Sequence, residues 1–409
     1  MKINYKINDK VDFLILVPLI ILMGIGLLAI YSSTYNHPTM HNKFEKQLFW
    51  CVISLFLFLI IYFIPHNFFR IISLPSYLFS IFLLLLVLVI GRQIKGAESW
   101  LRIGPVGFQP AEVAKIGLIL FLSHYLSNMK KDINNIKELS IALGIGLLPI
   151  LLILKQPDMG TAIVFGCILL ALLFWNGISL FSLFVVLLPG IMIFVSMFGG
   201  YVFAGAMILV LVLLILFKRN IFISASIFVA NLASGFFFDF AFKLLKPHQQ
   251  QRILSFLNPT ADPLGSGYNI TQAQVAIGSG GFWGKGFLAG NQTQNKFIPE
   301  QWTDFIYCVI GEEFGFIGSV LIIVLFTIIF IRLLKLTSIA KDKFSSSILI
   351  GVLTLIFVHF AINIGMNLGI APVIGLPLPF LSYGGTSLAV NTLLMGIVLN
   401  IYRNRKIRA

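Results

Sequence analysis

Apolar residues gather into long runs along this chain, separated by short polar breaks. Runs long enough to cross about 30 Å of hydrocarbon occur near 12–31, 47–64, 71–90, 111–127, 139–154, 160–175, 180–196, 201–217, 221–238, 304–330, 346–368 and 385–402. The pattern predicts an all-α polytopic membrane protein, a single integral domain over residues 1–409 with twelve spans. Gly199-Gly200 is the weakest break; without a turn there, spans seven and eight fuse and every later loop changes side. One polar stretch is long, residues 239–302. Within it, Pro247 to Leu257 reads as a short amphipathic helix, Asn258 to Gly267 as turns, and Tyr268 to Ile277 as a helix. Gly278 to Gly286 resembles a phosphate loop only superficially. Ser279 stands where the first glycine of that motif belongs, and Gly286 where Ser or Thr belongs.

Composition agrees with the runs: 58% of residues are hydrophobic and 11% charged, which excludes a soluble domain. The net charge of +14 is not a nucleic-acid footprint, because the basic residues sit in short loops between apolar runs. With the N-terminus inside, seventeen Lys and Arg fall on inside segments and eleven outside, five of those in the long loop. The chain is therefore expected in a cytoplasmic membrane among its lipids, with both termini cytoplasmic and residues 239–302 outside. The three cysteines, Cys51, Cys167 and Cys308, lie in or at the start of apolar runs and suggest neither disulfides nor a zinc site.

Charges that enter the spans single out candidate sites. Asp304 stands where the tenth run begins, and Glu312 lies eight residues further on. A carboxylate at that depth is costly and marks a functional candidate; the alternative is that Thr303 or Asp304 only caps a helix. Glu112 and Lys115, three apart, share one helix face. With Asp158 near the outer end of its own span they predict a Lys115–Asp158–Glu112 cluster, either functional or a purely structural brace. Trp100, in the loop before them, reads alternatively as an interfacial belt residue. Residues 369–386 hold three prolines and four glycines and almost no charge. Such a stretch cannot be regular helix, and at membrane depth it must be buried in protein or line a wet cavity. On residues alone, a transporter and a membrane-embedded transferase both fit an outer-face cavity.

Several segments resemble the SEDS family (shape, elongation, division and sporulation) of polytopic peptidoglycan glycosyltransferases. The carriers are Trp100-Leu-Arg-Ile-Gly, Gln109-Pro-Ala-Glu-Val-Ala-Lys115, Gln156-Pro-Asp-Met-Gly-Thr161, Asp262-Pro-Leu-Gly-Ser-Gly-Tyr268, Ala276-Ile-Gly-Ser-Gly-Gly281, Phe297-Ile-Pro-Glu-Gln-Trp-Thr-Asp-Phe-Ile306, Gly311-Glu-Glu-Phe-Gly315, Asn363-Ile-Gly-Met366 and Gly375-Leu-Pro-Leu-Pro-Phe-Leu-Ser-Tyr-Gly-Gly385. They run in the family's order from the first outer loop to the last span. The Gln156-Pro-Asp form and Gly290 to Gln294 look more like its elongation branch than its division branch. The chain departs in two ways. The family has ten spans, so residues 179–238 hold an extra pair; and Gln301-Trp302 stands where many relatives have a His beside the Thr-Asp.

The resemblance implies an enzyme that polymerises lipid II on the outer face of a bacterial inner membrane, with inversion and release of undecaprenyl diphosphate. It implies Asp304 as catalytic base and Lys115 and Arg102 as cations for the diphosphate, with a divalent cation, Mg or Mn. Trp100, Glu112, Asp158, Glu312, Pro379 and Ser382 are the further substrate-binding candidates. It also implies a class B penicillin-binding protein and other elongation-complex membrane proteins as partners. A lipid-linked-precursor flippase and a non-catalytic scaffold are the competing readings.

Overall fold

The computed structural model describes residues 10–36, 40, 42–94, 97–103, 106–196, 199–217, 221–244, 250–252, 255 and 266–405. All twelve apolar runs are helices. They are α1 (Phe13–Tyr35), α2 (Asn42–Phe63), α3 (His66–Ile90), α4 (Pro110–Ser127), α5 (Ile136–Lys155), α6 (Met159–Trp175), α7 (Leu180–Ser196), α8 (Gly200–Leu216), α9 (Ile221–Leu244), α12 (Ile306–Ile339), α13 (Lys343–Asn367) and α14 (Gly385–Arg403). Among the described residues, seven of them are long and apolar enough to cross a membrane, and shorter apolar helices add to these. Between α3 and α4 the chain forms a small antiparallel sheet, β1 (Arg92–Ile94), β2 (Ala97–Ile103) and β3 (Val106–Phe108), in the order β1-β2-β3. The long loop contains α10 (Ser266–Ser279) and α11 (Asn291–Gln294). Apart from residues 250–252 and 255, the helix expected over 247–257 lies outside the described residues, as do the turns expected over 258–265.

Several helices begin at short polar side chains, which satisfy otherwise orphaned first-turn N–H groups. Asp12 accepts from Leu14 N, Asn135 from Lys137 N, Asp158 from Thr161 N and Asp342 from Ser345 N. Helix bounds extend past the apolar runs. α12 continues to Ile339, nine residues beyond the expected end, because Arg332 and Lys335 tolerate a helix whose end leaves the hydrocarbon. The break at Gly199, φ +101°, keeps α7 and α8 separate.

Contacts sort the helix ends into two faces. At one, Asp12 pairs with Arg332, Arg70 with Asp342 at 2.7 Å, and Asn400 caps the end of α2 by donating to the carbonyls of Ile61, Tyr62 and Ile64. At the other, Ser32 of α1 donates to Glu313 and Gln47 of α2 donates to Ser382 O. Helices α1 to α3 and α12 to α14 thus alternate in direction. One continuous core joins α1 to α6 with α12 to α14. Helices α7 to α9 instead form a small core of their own from Leu188, Met192, Met207, Val210 and Leu214.

Candidate active site

The site is built on α13. Three of its side chains, His359, Asn363 and Asn367, are spaced four apart, stand on one stripe and are all buried. Asn363 Nδ2 donates to Asp304 O at 2.9 Å and to Leu376 O at 2.8 Å. Asn367 Nδ2 donates to the same Asp304 oxygen at 3.1 Å. The stripe therefore joins the turn before α12 to the segment before α14.

That segment, residues 368–384, contains no helix. Its main-chain groups are met by side chains from the surrounding helices, as buried irregular backbone requires. His359 holds the carbonyl of Pro377, Asn363 that of Leu376, and Arg252 Nη1 that of Ile374 at 3.2 Å. Gln47 receives Gly384 N and donates to Ser382 O. Ser382 Oγ donates to Thr303 O at 2.6 Å and accepts from Leu378 N at 2.8 Å. Ser382 is thus a latch between the segment and the Asp304 turn. Pro379 is buried beside Phe380, whose φ is +67°.

Asp304 is half-buried and is not a helix cap. The N-cap of α12 is Phe305, which makes no side-chain capping bond, and Thr303 Oγ1 turns back to Glu300 O. The capping alternative therefore fails. Gly375, φ +79°, lets the backbone pass beside the carboxylate. A Cβ there would lie 3.3 Å from Asp304 Oδ2 and 3.8 Å from Arg252 Nη1. Asp304 and Arg252 thus border one small space. The sequence carried a signal for Arg252, a lone cation in the polar start of the 247–257 segment, but nothing in it placed that cation beside Asp304.

The Glu112–Lys115 pair forms as its spacing predicts, at 2.7 Å, with side-chain exposures of 4% and 0%. Asp158 is not its third member. That carboxylate is taken by Thr161 N and Oγ1 at the head of α6 and by Gln109 Nε2 at 3.2 Å. The third member is His359, whose Nε2 lies 3.1 Å from Lys115 Nζ. His359 is far from Lys115 in sequence and sits within an apolar run, so no local pattern marked it.

Glu312 is fully buried and receives four donors from the long loop: Lys285 Nζ, Gln292 N, Thr293 N and Thr293 Oγ1, all at 2.8–2.9 Å. It anchors residues 285–293 to α12. The glycine-rich turn at 278–286 has a matching role. α12 is broken at Gly315, φ +63°, and Gly284, φ +82°, packs against that break too closely for a Cβ on either residue. Lys285 N and Gly286 N donate to the carbonyls of Glu312 and Glu313. These glycines serve a backbone splice between loop and helix.

Trp100 is half-buried on β2, and its ring lies 3.3 Å from where a Gly107 Cβ would stand. Arg102 pairs with Gly107 in the β2–β3 register; its side chain lies outside the described residues. Among the described residues no three His, Cys, Asp or Glu side chains come together as a metal cage. A Mg-type ion needs no such cage, since it is held by one or two carboxylates together with substrate phosphates and water; Asp304 is the carboxylate at the site that could serve.

A multi-pass helical bundle with a carboxylate at a span's mouth, a re-entrant segment beside it and a buried ion pair behind is a polytopic membrane protein with a built polar site. A family model described as cell cycle protein, FtsW/RodA/SpoVE, matches residues 12–201 and 181–407. The chain belongs to that family. It is 35% identical to the peptidoglycan glycosyltransferase RodA of Treponema pallidum (strain Nichols), over 95% of this chain and 97% of the relative. It is 34% identical to the peptidoglycan glycosyltransferase MrdB of Escherichia coli (strain K12), over 97% and 95%. A solved peptidoglycan synthase complex, described as coordinating polymerization and crosslinking, contains a chain that matches with TM-score 0.73 and 27% identity, over 96% of this chain and 98% of that one.

Proposed function

We propose that this protein is a peptidoglycan glycosyltransferase of the RodA type, polymerising lipid II into glycan strands during cell elongation. The observation that carries the reading is Asp304, held by its main chain at the mouth of α12 with its carboxylate beside Gly375 and Arg252. The names of the full-length relatives support it. A sugar hydroxyl is a weak nucleophile at neutral pH, and a positioned carboxylate makes it a better one. In the proposed step Asp304 takes the proton of the acceptor's 4-hydroxyl as its oxygen bonds to the donor's anomeric carbon. The bond from that carbon to the diphosphate oxygen breaks, and undecaprenyl diphosphate leaves with the electron pair. One base and an α-linked donor give a β-linkage, so the transfer inverts.

The departing diphosphate needs positive charge. Arg252 and Arg102 are the cations we assign to it; Lys115, which has no solvent exposure and is held by Glu112 and His359, adds its charge from within the bundle. Trp100, Pro379 and the ends of the re-entrant segment shape the sugar and lipid path. Glu112, Asp158, Glu312 and Ser382 act through the groups they hold. A divalent cation, Mg or Mn, would be held by Asp304 together with the substrate's diphosphate oxygens, and would supply positive charge to the leaving group. We place the site on the outer face of the cytoplasmic membrane, with a class B penicillin-binding protein and other elongation-complex proteins as partners. Helices α7 to α9 contain the pair we read as added to the family's ten.

The test is a gel assay of the purified chain with lipid II and Mg or Mn, with and without the cognate penicillin-binding protein, beside Asp304→Asn and an EDTA arm. A glycan ladder from wild type and none from the variant is expected. No ladder from folded wild type in any arm would overturn the reading; labelled lipid II crossing reconstituted vesicles would then identify a flippase.

A further inference from the structure

His359 is buried between two partners that fix its protonation. Its Nδ1 lies 3.1 Å from the carbonyl oxygen of Pro377, which can only accept. Its Nε2 lies 3.1 Å from Lys115 Nζ, which also bonds the Glu112 carboxylate at 2.7 Å and, as an ammonium, can only donate. Nδ1 must carry the hydrogen and Nε2 the lone pair, so the tautomer assigned from these partners is the neutral Nδ1–H form. A cationic or Nε2–H ring would point an N–H at the ammonium. Lys115 has a third N–H to give and Glu112 Oε2 has no partner, so the pair is spoken for on one side and open on the other.

One turn along α13, about 6 Å on, Asn363 holds both Leu376 O and Asp304 O. The neighbouring carbonyls of Leu376 and Pro377 are therefore clamped by two side chains of one helix face. The same face fixes the cation through His359 and the carboxylate turn through Asn363. We propose that His359 is a positioning residue that sets the place of the Lys115 ammonium relative to Asp304, acting as a two-ended adapter between α4 and the re-entrant segment. The proposal deepens the glycosyltransferase reading and rests on it for its kinetic arm alone.

The test compares His359→Leu with His359→Gln in the full chain, using kcat and KM for lipid II per folded molecule. A glutamine amide can receive Lys115 on its oxygen and donate to Pro377 O; leucine can do neither. The expected result is a fall in kcat of at least about tenfold in the leucine variant with KM little changed, and recovery in the glutamine variant to within about threefold of wild type. Asn400→Leu, at the far end of the bundle, controls for lost stability and should keep kcat. Equal kcat in the leucine variant and wild type, or equal losses in the leucine and glutamine variants, would overturn the proposal. If the leucine variant does not fold, His359→Asn replaces it, its shorter amide being unable to span both partners; equality with glutamine again overturns. An arm free of activity uses ¹⁵N-histidine NMR of the full chain. It expects a protonated Nδ1 and a bare, hydrogen-bonded Nε2 at His359 that shifts in Lys115→Met. A protonated Nε2 sinks the assignment whether or not glycan is made, and a silent gel beside the expected spectrum sinks only the glycosyltransferase reading.

Discussion

Asn363 donates its side-chain amide to the main-chain carbonyl of Asp304 at 2.9 Å, and Asn367 reaches the same oxygen from one turn further on. The turn that carries the proposed base is thus gripped by its backbone. Asp304→Asn leaves that grip in place and changes the carboxylate alone. We expect polymerisation to fall by about 10²- to 10⁴-fold with no loss of thermal midpoint in detergent. Asn363→Leu should act differently. It strips a donor from two buried carbonyls, at a cost of about 1–3 kcal/mol, and should lower the thermal midpoint and turnover together. An Asp304→Asn protein that polymerises at the wild-type rate removes this carboxylate from the mechanism.

The buried Glu112–Lys115 pair makes a second prediction, about stability. With side-chain exposures of 4% and 0%, neither charge has water to fall back on. Lys115→Met leaves the Glu112 carboxylate buried without its ammonium, which costs about 3–5 kcal/mol. Adding Glu112→Gln removes the stranded charge, so the double variant should regain much of the thermal stability. It should not regain activity, because the cation is still missing. Thermal unfolding and polymerisation measured on the same three samples check this. A double variant as unstable as the single would mean that the cost lies in packing.

The sequence made the helices legible because a membrane requires long apolar runs, and all twelve runs became helices. Asp304, Glu112 and Lys115 were legible for the same reason: a charge inside such a run stands out. The re-entrant segment was legible from its prolines and glycines. What was not legible is which polar groups meet across the bundle. Asp158 looked like a partner for Lys115 because both lie near outer ends of spans, yet its carboxylate is consumed at the head of α6. His359 and Arg252 reach the site only through tertiary packing, from 244 residues away in one case and out of the long loop in the other. Glu312 was recognised as a buried acid, but its four partners lie 19 to 27 residues upstream in a stretch with no regular period.

Those four partners give a third prediction. Glu312 accepts the main-chain N–H groups of Gln292 and Thr293 at 2.8 and 2.9 Å and pairs with Lys285 at 2.9 Å. Glu312→Ala removes every one of these bonds at once. The loop from Lys285 to Thr293 should open locally while the helical core persists. Amide exchange at Gln292 and Thr293 should accelerate by at least about tenfold, the equivalent of one charged hydrogen bond lost. Exchange over α13 should stay unchanged. If the loop amides keep their protection, Glu312 is not the anchor. Polymerisation by the same variant then separates loop attachment from substrate contact: an inactive protein with a protected loop would return Glu312 to the substrate-binding candidates.

The face opposite the site holds a carboxylate that makes a fourth prediction, about acid stability. Asp342 opens α13, where burial pushes its pKa up. The Ser345 N–H and O–H, followed by the charges of Arg70 and His66, outweigh burial and hold it below the ordinary carboxylate value. Its bonds are direct: Ser345 N at 2.8 Å, Ser345 Oγ at 2.7 Å and Arg70 Nη2 at 2.7 Å. A depressed folded pKa means that the ionised carboxylate favours the folded state. That contribution is complete above the unfolded value of about 3.9 and is lost as the pH falls through the lower, folded value. The Asp342 share of the wild-type thermal midpoint should therefore hold down to about pH 4 and be lost below it. Asp342→Asn should start lower at neutral pH and meet the wild-type curve in acid, where both side chains are uncharged. Arg70→Met should show a smaller acid loss than wild type, since one source of the depression is gone. Parallel curves for wild type and Asp342→Asn across this range would mean that the acid sensitivity belongs to another carboxylate.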